Sequence, residues 1–449
     1  MTDSLKRMFV RVSKAAVGVA AAGFIAGSAL AQPIEIDFWH GLSAPLGDLL
    51  EGYVEDFNAS QDVYVVNPSY MGSYPDTMVA AIAASRAGNA PHIVQMFEVG
   101  TATMMAAGPA VKPVHELFAE TGVDFDPDNY IPAIKGYYSL PDGSMMSFPF
   151  NSSTSSMWIN RDMFEEAGLD PDAELATWDQ VRAASKQIVD SGVAECGFAS
   201  SWPTWVQFEQ MGAMHDQPIA TLGNGMGGLG TELTVNSEFF VRHVQNLLDM
   251  QEEGSFTYAG RDSAADALFP SAECAIVMGS SAMRARIMRE AEFEWSLLPL
   301  PYYDDIEAAP LNTIIGGASF WVMTAPDRND EEYRGVAEFF SYLSQPEVVS
   351  AWHTDSGYLP ITFGIYEELE ASGFYAENPG LDTPYLQLTA AEPTENSRGP
   401  RLGNMPEIRN IIQEELELAL QGQQDAQTAL DNAVRRGNVV LRAFERANQ

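Results

Sequence analysis

The sequence predicts an α/β fold in two lobes, with mainly parallel sheets flanked by helices and a helical C-terminal segment. Three observations carry that expectation. Strand-like and helix-like periodicities alternate from residue 34 onward, the pattern that βαβ units impose. The alternation starts afresh at Cys274, and residues 406–446 keep helical spacing almost throughout. A chain of 449 residues, 46% hydrophobic, is also long enough for two or three domains whose cores offset the chain entropy.

Taken in order, Ile34-Glu35-Ile36-Asp37-Phe38-Trp39 alternates apolar and polar residues and reads as the first strand. Leu46, Leu49, Leu50, Tyr53, Val54 and Phe57 then recur at helical spacing. Residues 63–66 form a second strand, 74–87 a helix and 92–96 a third strand. Strand 157–159 leads into helix 161–167, and 178–191 is a further amphipathic helix. The later half gives strand 274–278, helix 282–291, strand 319–323 and helix 333–343. The helical stretch 406–446 is expected to break near Gly422 and Gly437. No repeat of solenoid length is visible.

The first residues have a different character. Lys6, Arg7, Arg11 and Lys14 precede a small apolar run over 15–26, and Ala29-Leu30-Ala31 fits the small-x-small cleavage rule ahead of Gln32. This reads as an export signal cleaved after Ala31, leaving an exported, soluble chain. No later stretch approaches the roughly 18 apolar residues of a membrane span. The balance of 62 Asp and Glu against 24 Lys and Arg, net charge −38, argues against phosphate-backbone or acidic-lipid partners. Cys196 and Cys274 are the two cysteines. In an oxidising compartment they can bridge, but spacing alone leaves a disulfide and two buried thiols equally open.

Catalytic and cofactor signals are weak. Two Cys and six scattered His, with no HExxH or CxxC, offer no metal-ligand set. Gly223-Asn224-Gly225-Met226-Gly227-Gly228 satisfies GxGxxG, but no strand precedes it and no helix opens on it, so it reads as a surface loop. No GxSxG nucleophile motif occurs. The chain is therefore not expected to catalyse, and no cofactor is expected.

Several longer segments are more specific. They are Phe38-Trp39-His40, Gly88-Asn89-Ala90-Pro91, Glu98-Val99-Gly100-Thr101-Ala102-Thr103-Met104-Met105 and Phe150-Asn151-Ser152-Ser153-Thr154, followed by Ile314-Ile315-Gly316-Gly317-Ala318-Ser319, Gly357-Tyr358-Leu359-Pro360-Ile361-Thr362 and Arg401-Leu402-Gly403-Asn404-Met405-Pro406. In this order the chain resembles the periplasmic sn-glycerol-3-phosphate-binding proteins of ABC importers, within extracellular solute-binding protein family 1. The resemblance implies a type II two-lobed clamshell that loads a small molecule between its lobes. A permease with its ATPase would receive the load, and the protein is expected to act as a monomer. It also implies lobes of 32–149 with 314–357, and of 150–313 with 358–449, with crossings near Phe150, Gly316 and Tyr358.

Matched motif by motif, the resemblance places ligand contacts on Tyr74, Glu98, Ser153, Trp202, Ser280, Gly317, Tyr358 and Arg409. The residue types suit a phosphate monoester. Arg409 offers a bidentate cation, the hydroxyls of Tyr74, Ser153, Ser280 and Tyr358 are donors, and Gly317 lets a backbone N–H approach closely. Glu98 suits glycerol hydroxyls, and Trp202 offers a flat apolar face, although Pro203 behind it can shift the loop. Out of that context the same residues read as a surface arginine, packing aromatics, a cap or turn serine and a bend in a strand. A glycerophosphodiester such as glycerophosphocholine would use the same contacts, with Trp202 limiting room for its head group. A sugar or oligosaccharide would favour aromatic platforms over Arg409, and a two-lobed secreted glycosidase is the rival of another class. For an otherwise unpaired Arg409, Arg409→Ala is expected to weaken ligand binding and leave the melting temperature of the ligand-free protein unchanged.

Overall fold

A computed structural model describes residues 32–449; the expected export signal, with its expected cleavage after Ala31, lies outside the described residues. Among the described residues eleven strands form two sheets. The first contains β1 (Ile34–His40), β2 (Tyr64–Tyr70), β3 (Ile93–Phe97), β4 (Val111–Lys112) and β5 (Phe148–Ser153). The second contains β6 (Ser155–Asn160), β7 (Cys196–Ser200), β8 (Phe256–Thr257), β9 (Cys274–Ser280) and β10 (Trp295–Leu298). The last strand, β11 (Gly316–Met323), returns to the first sheet. The orders are β2-β1-β3-β11-β4, with β5 also beside β11, and β10-β6-β9-β7-β8.

The sheets are mixed, which corrects the expectation of mainly parallel pairing. β1 runs parallel to β2 and β3, and β7 runs parallel to β8 and β9. β11 is antiparallel to β3, β4 and β5, while β6 is antiparallel to β9 and β10. The reason is topological. A strand that arrives from the other sheet enters at the facing end and so runs against the strands built by local βαβ units.

Helix ends follow the sequence where their caps are written in it. Helix Tyr74–Ala87 starts in a reciprocal Ser73–Asp76 capping box and stops at left-handed Gly88. Helix Trp178–Ser191 does the same between a Thr177–Gln180 box and Gly192. At the C-terminus, helices Met405–Leu420 and Ala426–Ala447 are separated around Gly422. The expected break at Gly437 does not occur. A Cβ there would stand 2.3 Å from Leu233 Cδ1, so the glycine lets a neighbouring side chain close on an unbroken helix. The Gly223–Gly228 segment is a turn, entered through left-handed Leu222 and continuing left-handed at Gly223 and Asn224.

Cys196 and Cys274 form a disulfide with Cα atoms 4.6 Å apart. They are register partners on the neighbouring strands β7 and β9, a relation invisible at a separation of 78 residues.

Three segments stitch the sheets together. Only Thr154 separates β5 from β6, and its hydroxyl donates to the Ile314 carbonyl at 2.7 Å. Gln210 clamps Ile314 on both sides, accepting from its N–H and donating to its carbonyl, each at 2.9 Å. Leu359 N–H donates to the Ser152 carbonyl at 2.8 Å. The chain ends of β1, β3, β7 and β9 that face these crossings carry the residues of the cleft, as in other open α/β sheets.

Candidate ligand-binding site

A cavity of about 280 Å³ opens between the two sheets. Tyr74, Glu98, Ser153, Trp202, Ser280, Gly317, Tyr358 and Arg409 all line it, although they are spread over more than three hundred residues of sequence. Most stand just beyond a strand or at a crossing. Glu98 follows β3, Trp202 follows β7, and Ser280 closes β9. Ser153 ends β5, Gly317 lies at the start of β11, and Tyr358 follows helix Pro346–Ser356. Tyr74 opens helix Tyr74–Ala87, and Arg409 lies one turn into helix Met405–Leu420.

Arg409 differs from its sequence reading. It is buried, 7% exposed, and already engaged. Its Nε and Nη2 donate to the two carboxylate oxygens of Glu209 at 2.6 and 2.7 Å, and Nη2 also donates to Glu98 at 2.6 Å. The expectation of an unpaired cleft arginine is thereby corrected, and with it the expectation that its removal leaves melting unchanged. Nη1 makes no protein hydrogen bond among the described residues and is the donor left for a ligand. Glu209 is 2% exposed and sits in the π-helical segment Trp205–Gln210, a form recurrent at functional sites. Burial raises the Glu98 carboxyl, Arg409 opposes that shift, and the Glu209 charge adds to it.

The remaining walls are hydroxyls, rings and a glycine. Asn151 Nδ2 donates to Tyr74 Oη at 3.0 Å, and Tyr74 Oη lies 3.5 Å from Tyr358 Oη. Burial pushes both phenols up, Tyr74 well above its ordinary value, so they remain protonated donors. The Tyr74 ring stacks on Phe97 and the Tyr358 ring on Trp352. The Ser153 hydroxyl has no protein partner among the described residues. Ser280 both lines the cavity and caps the Ala282 N–H at 3.1 Å.

Gly317 holds φ +83° and runs so close to β5 that a Cβ would lie 2.0 Å from the Asn151 carbonyl oxygen. The fold itself therefore needs a glycine here. Trp202 is held at φ 47°, an uncommon conformation for a large residue. Its N–H donates to the Asp262 carbonyl at 2.7 Å and its carbonyl accepts from Val206 at 2.9 Å. The turn presents the indole 6.5 Å from the Tyr74 ring, centroid to centroid.

Sequence reasoning did not single out Glu209, Asp262, Asp266, Trp205 or the segment 41–46, and all but Glu209 line the cavity. For Glu209 a signal existed: a carboxylate within the otherwise uncharged Trp205–Gln210 run demands a partner. For Asp262 and Asp266 none did, because acidic residues are everywhere in this chain. The Asp266 carboxyl is pushed up to about 6 by burial, with the Ser201 hydroxyl donating to it in opposition. Helix Leu46–Ser60 begins at the cavity without a side-chain cap, so its positive end faces the space. Among the described residues no group of three or more His, Cys, Asp or Glu is disposed to hold a metal ion.

The family model described as bacterial extracellular solute-binding protein matches residues 52–383. The chain belongs to this family. Its solute-binding relatives include the sn-glycerol-3-phosphate-binding periplasmic protein UgpB of Rhizobium meliloti, 45% identical over 91% of this chain and 94% of that protein. UgpB of Yersinia pseudotuberculosis is 44% identical over 92% of this chain and 94% of its own. Among solved structures, UgpB from Mycobacterium tuberculosis in complex with glycerophosphocholine superposes with a TM-score of 0.75 at 19% identity, covering 91% of this chain and 98% of that one. Maltose-bound MalE3 of T. maritima superposes at 0.73 with 14% identity, covering 90% and 98%. At those identities the structures share the fold, the two-lobed type II clamshell of solute-binding proteins. The family's role is binding, and the cleft between the sheets is where this solute-binding protein has room for a solute.

Proposed function

We propose that this solute-binding protein is exported to the periplasm, captures sn-glycerol 3-phosphate in the interlobe cleft and delivers it to a membrane permease with its ATPase. It acts as a monomer and does no chemistry on the ligand. The observation that carries the reading is the convergence of Tyr74, Glu98, Ser153, Trp202, Ser280, Gly317, Tyr358 and Arg409 on one cavity, in a chain 45% identical to a UgpB along most of its length. In this reading Arg409 Nη1 and the hydroxyls receive the phosphate, Glu98 takes the glycerol hydroxyls, and Trp202 covers the glycerol carbons. The cavity volume lies near the lower end of ligand sites, about 300–1,000 Å³, which suits a three-carbon phosphate better than an oligosaccharide. The lobes comprise 32–149 with 314–357 and 150–313 with 358–449, within a few residues of the crossings.

A glycerophosphodiester is the second reading, and one observation favours it. Asp262 and Asp266 line the cavity with Trp202, offering carboxylates and an aromatic face to a cationic head group. Thermal melting with each solute tests both readings. A ligand at a hundred times its Kd stabilises the native state by about 2.7 kcal/mol. Glycerol 3-phosphate or glycerophosphocholine should raise the melting temperature, and maltose should not. Stabilisation by maltose alone would overturn the reading.

A further inference from the structure

We propose that binding a dianionic phosphate monoester makes this cleft take up a proton, and that the Glu98 carboxyl receives it. The inference rests on the glycerol 3-phosphate reading and concerns how a site already negative accommodates that ligand.

The geometry sets the charge count. Three ionisable groups, all buried, meet at the floor of the cleft: Glu98 at 5% exposure, Glu209 at 2% and Arg409 at 7%. Two carboxylates share one guanidinium, so the cluster carries an excess negative charge before any ligand enters. A phosphate placed against Nη1 adds two more within a few ångströms.

The neighbours supply little compensation. Helix Tyr74–Ala87 brings Tyr74, the segment around helix Pro132–Tyr137 brings Tyr137 and Tyr138, and the third crossing brings Tyr358. Burial holds all four phenols above their ordinary range, so they offer hydrogen bonds but no charge. Strand β11, packed behind the Glu98 turn, has no titratable side chain over Gly316–Met323. Asp262 adds another carboxylate near Arg409, and Asp266, pushed up to about 6 by burial, lines the same cavity. Arg286 lines the cavity but is paired to Glu290 at 2.7 Å.

Glu98 is the better proton acceptor of the two carboxylates. Glu209 receives two guanidinium hydrogen bonds and Glu98 one. Glu98 also lines the cavity, and burial already biases it toward the neutral form. A protonated Glu98 keeps its place and gains an O–H donor, which the ligand's oxygens can accept.

Calorimetric titration of glycerol 3-phosphate between pH 7.5 and 8.5, in buffers of low and high ionisation enthalpy, tests the inference. There the free ligand is already dianionic, since the second phosphate ionisation lies near pH 6, so a proton bound in the complex is taken from solvent, and the Glu98 variant locates it. Binding heat should depend on the buffer, and affinity should fall with rising pH, by roughly tenfold per unit for a full proton. Glu98→Gln, which imitates the neutral carboxyl, should show no uptake and an affinity level across the interval. Buffer-independent heat with intact binding would overturn the proton linkage while leaving the ligand reading in place. Uptake that persists in Glu98→Gln would overturn the assignment to Glu98. Absence of binding by the wild-type protein in every buffer would overturn the ligand reading, and the inference with it.

Discussion

Arg409→Met is the perturbation whose outcome the structure sets most firmly. Methionine retains helix propensity and much of the apolar stem, so the change isolates the guanidinium. Its loss strands Glu98 and Glu209, both nearly inaccessible to water, without the cation that makes three hydrogen bonds to them. Removing one partner of a buried ion pair costs about 3–5 kcal/mol. At roughly 2–4 °C per kcal/mol for a unit the size of a lobe, the ligand-free protein should melt about 6–20 °C lower at pH 8. The deficit should shrink on acidification. Without Arg409 the Glu98 carboxyl, already raised by burial, loses the cation that opposes that shift, so the native state binds protons and gains stability relative to the wild type as pH falls. Scanning calorimetry of both ligand-free proteins at pH 8 and 5.5 reads this. Arg435→Met, at an exposed arginine whose side chain donates to Asn432, is the control and should change little. An Arg409→Met protein that melts within a degree or two of wild type at both pH values would refute the buried-triad reasoning.

Three further outcomes follow from other parts of the molecule. Reducing the Cys196–Cys274 bridge, or replacing both residues by Ser, should lower stability by about 2–4 kcal/mol in urea denaturation, and a loss below about 1 kcal/mol would contradict it. Gly317→Ala must place a Cβ against the Asn151 carbonyl at positive φ, so it should cost more than about 3 kcal/mol and abolish ligand response; a wild-type urea midpoint would contradict the strand contact. His243 and His215 are buried and held neutral, pushed down to about 3 and about 4 by burial. Their folded values lie below the unfolded one, so the stability they allow is full above pH 6.5 and is lost as pH falls, by about 2 kcal/mol each at pH 5. His243→Gln should therefore flatten the acid limb of a stability–pH curve, and an unchanged limb would count against this origin.

The sequence is legible where local chemistry decides the outcome. Helices 74–87 and 178–191 were bounded correctly because each carries a capping box at one end and a glycine at the other. The same logic misplaced Gly437, whose role is to admit Leu233 and not to end a helix. Strand direction was not legible, since β6 and β11 owe their antiparallel pairing to crossings set by the whole topology. The cavity residues came from motif resemblance, and the structure brings all eight around one space. What resemblance could not supply was the partner of Arg409. Glu209 is 200 positions away in the chain, and only the packing of helix Met405–Leu420 against the π-helical segment discloses that two carboxylates hold one arginine.

A crystal structure of the protein soaked or grown with glycerol 3-phosphate would show directly whether the cleft captures it at Arg409. A phosphate should lie within about 3 Å of Arg409 Nη1 and in reach of the Gly317 N–H and the Ser153 hydroxyl. The glycerol carbons should lie against Trp202 and its hydroxyls beside Glu98. A cleft that stays free of glycerol 3-phosphate but fills with maltose, or a phosphate bound away from Arg409, would contradict it.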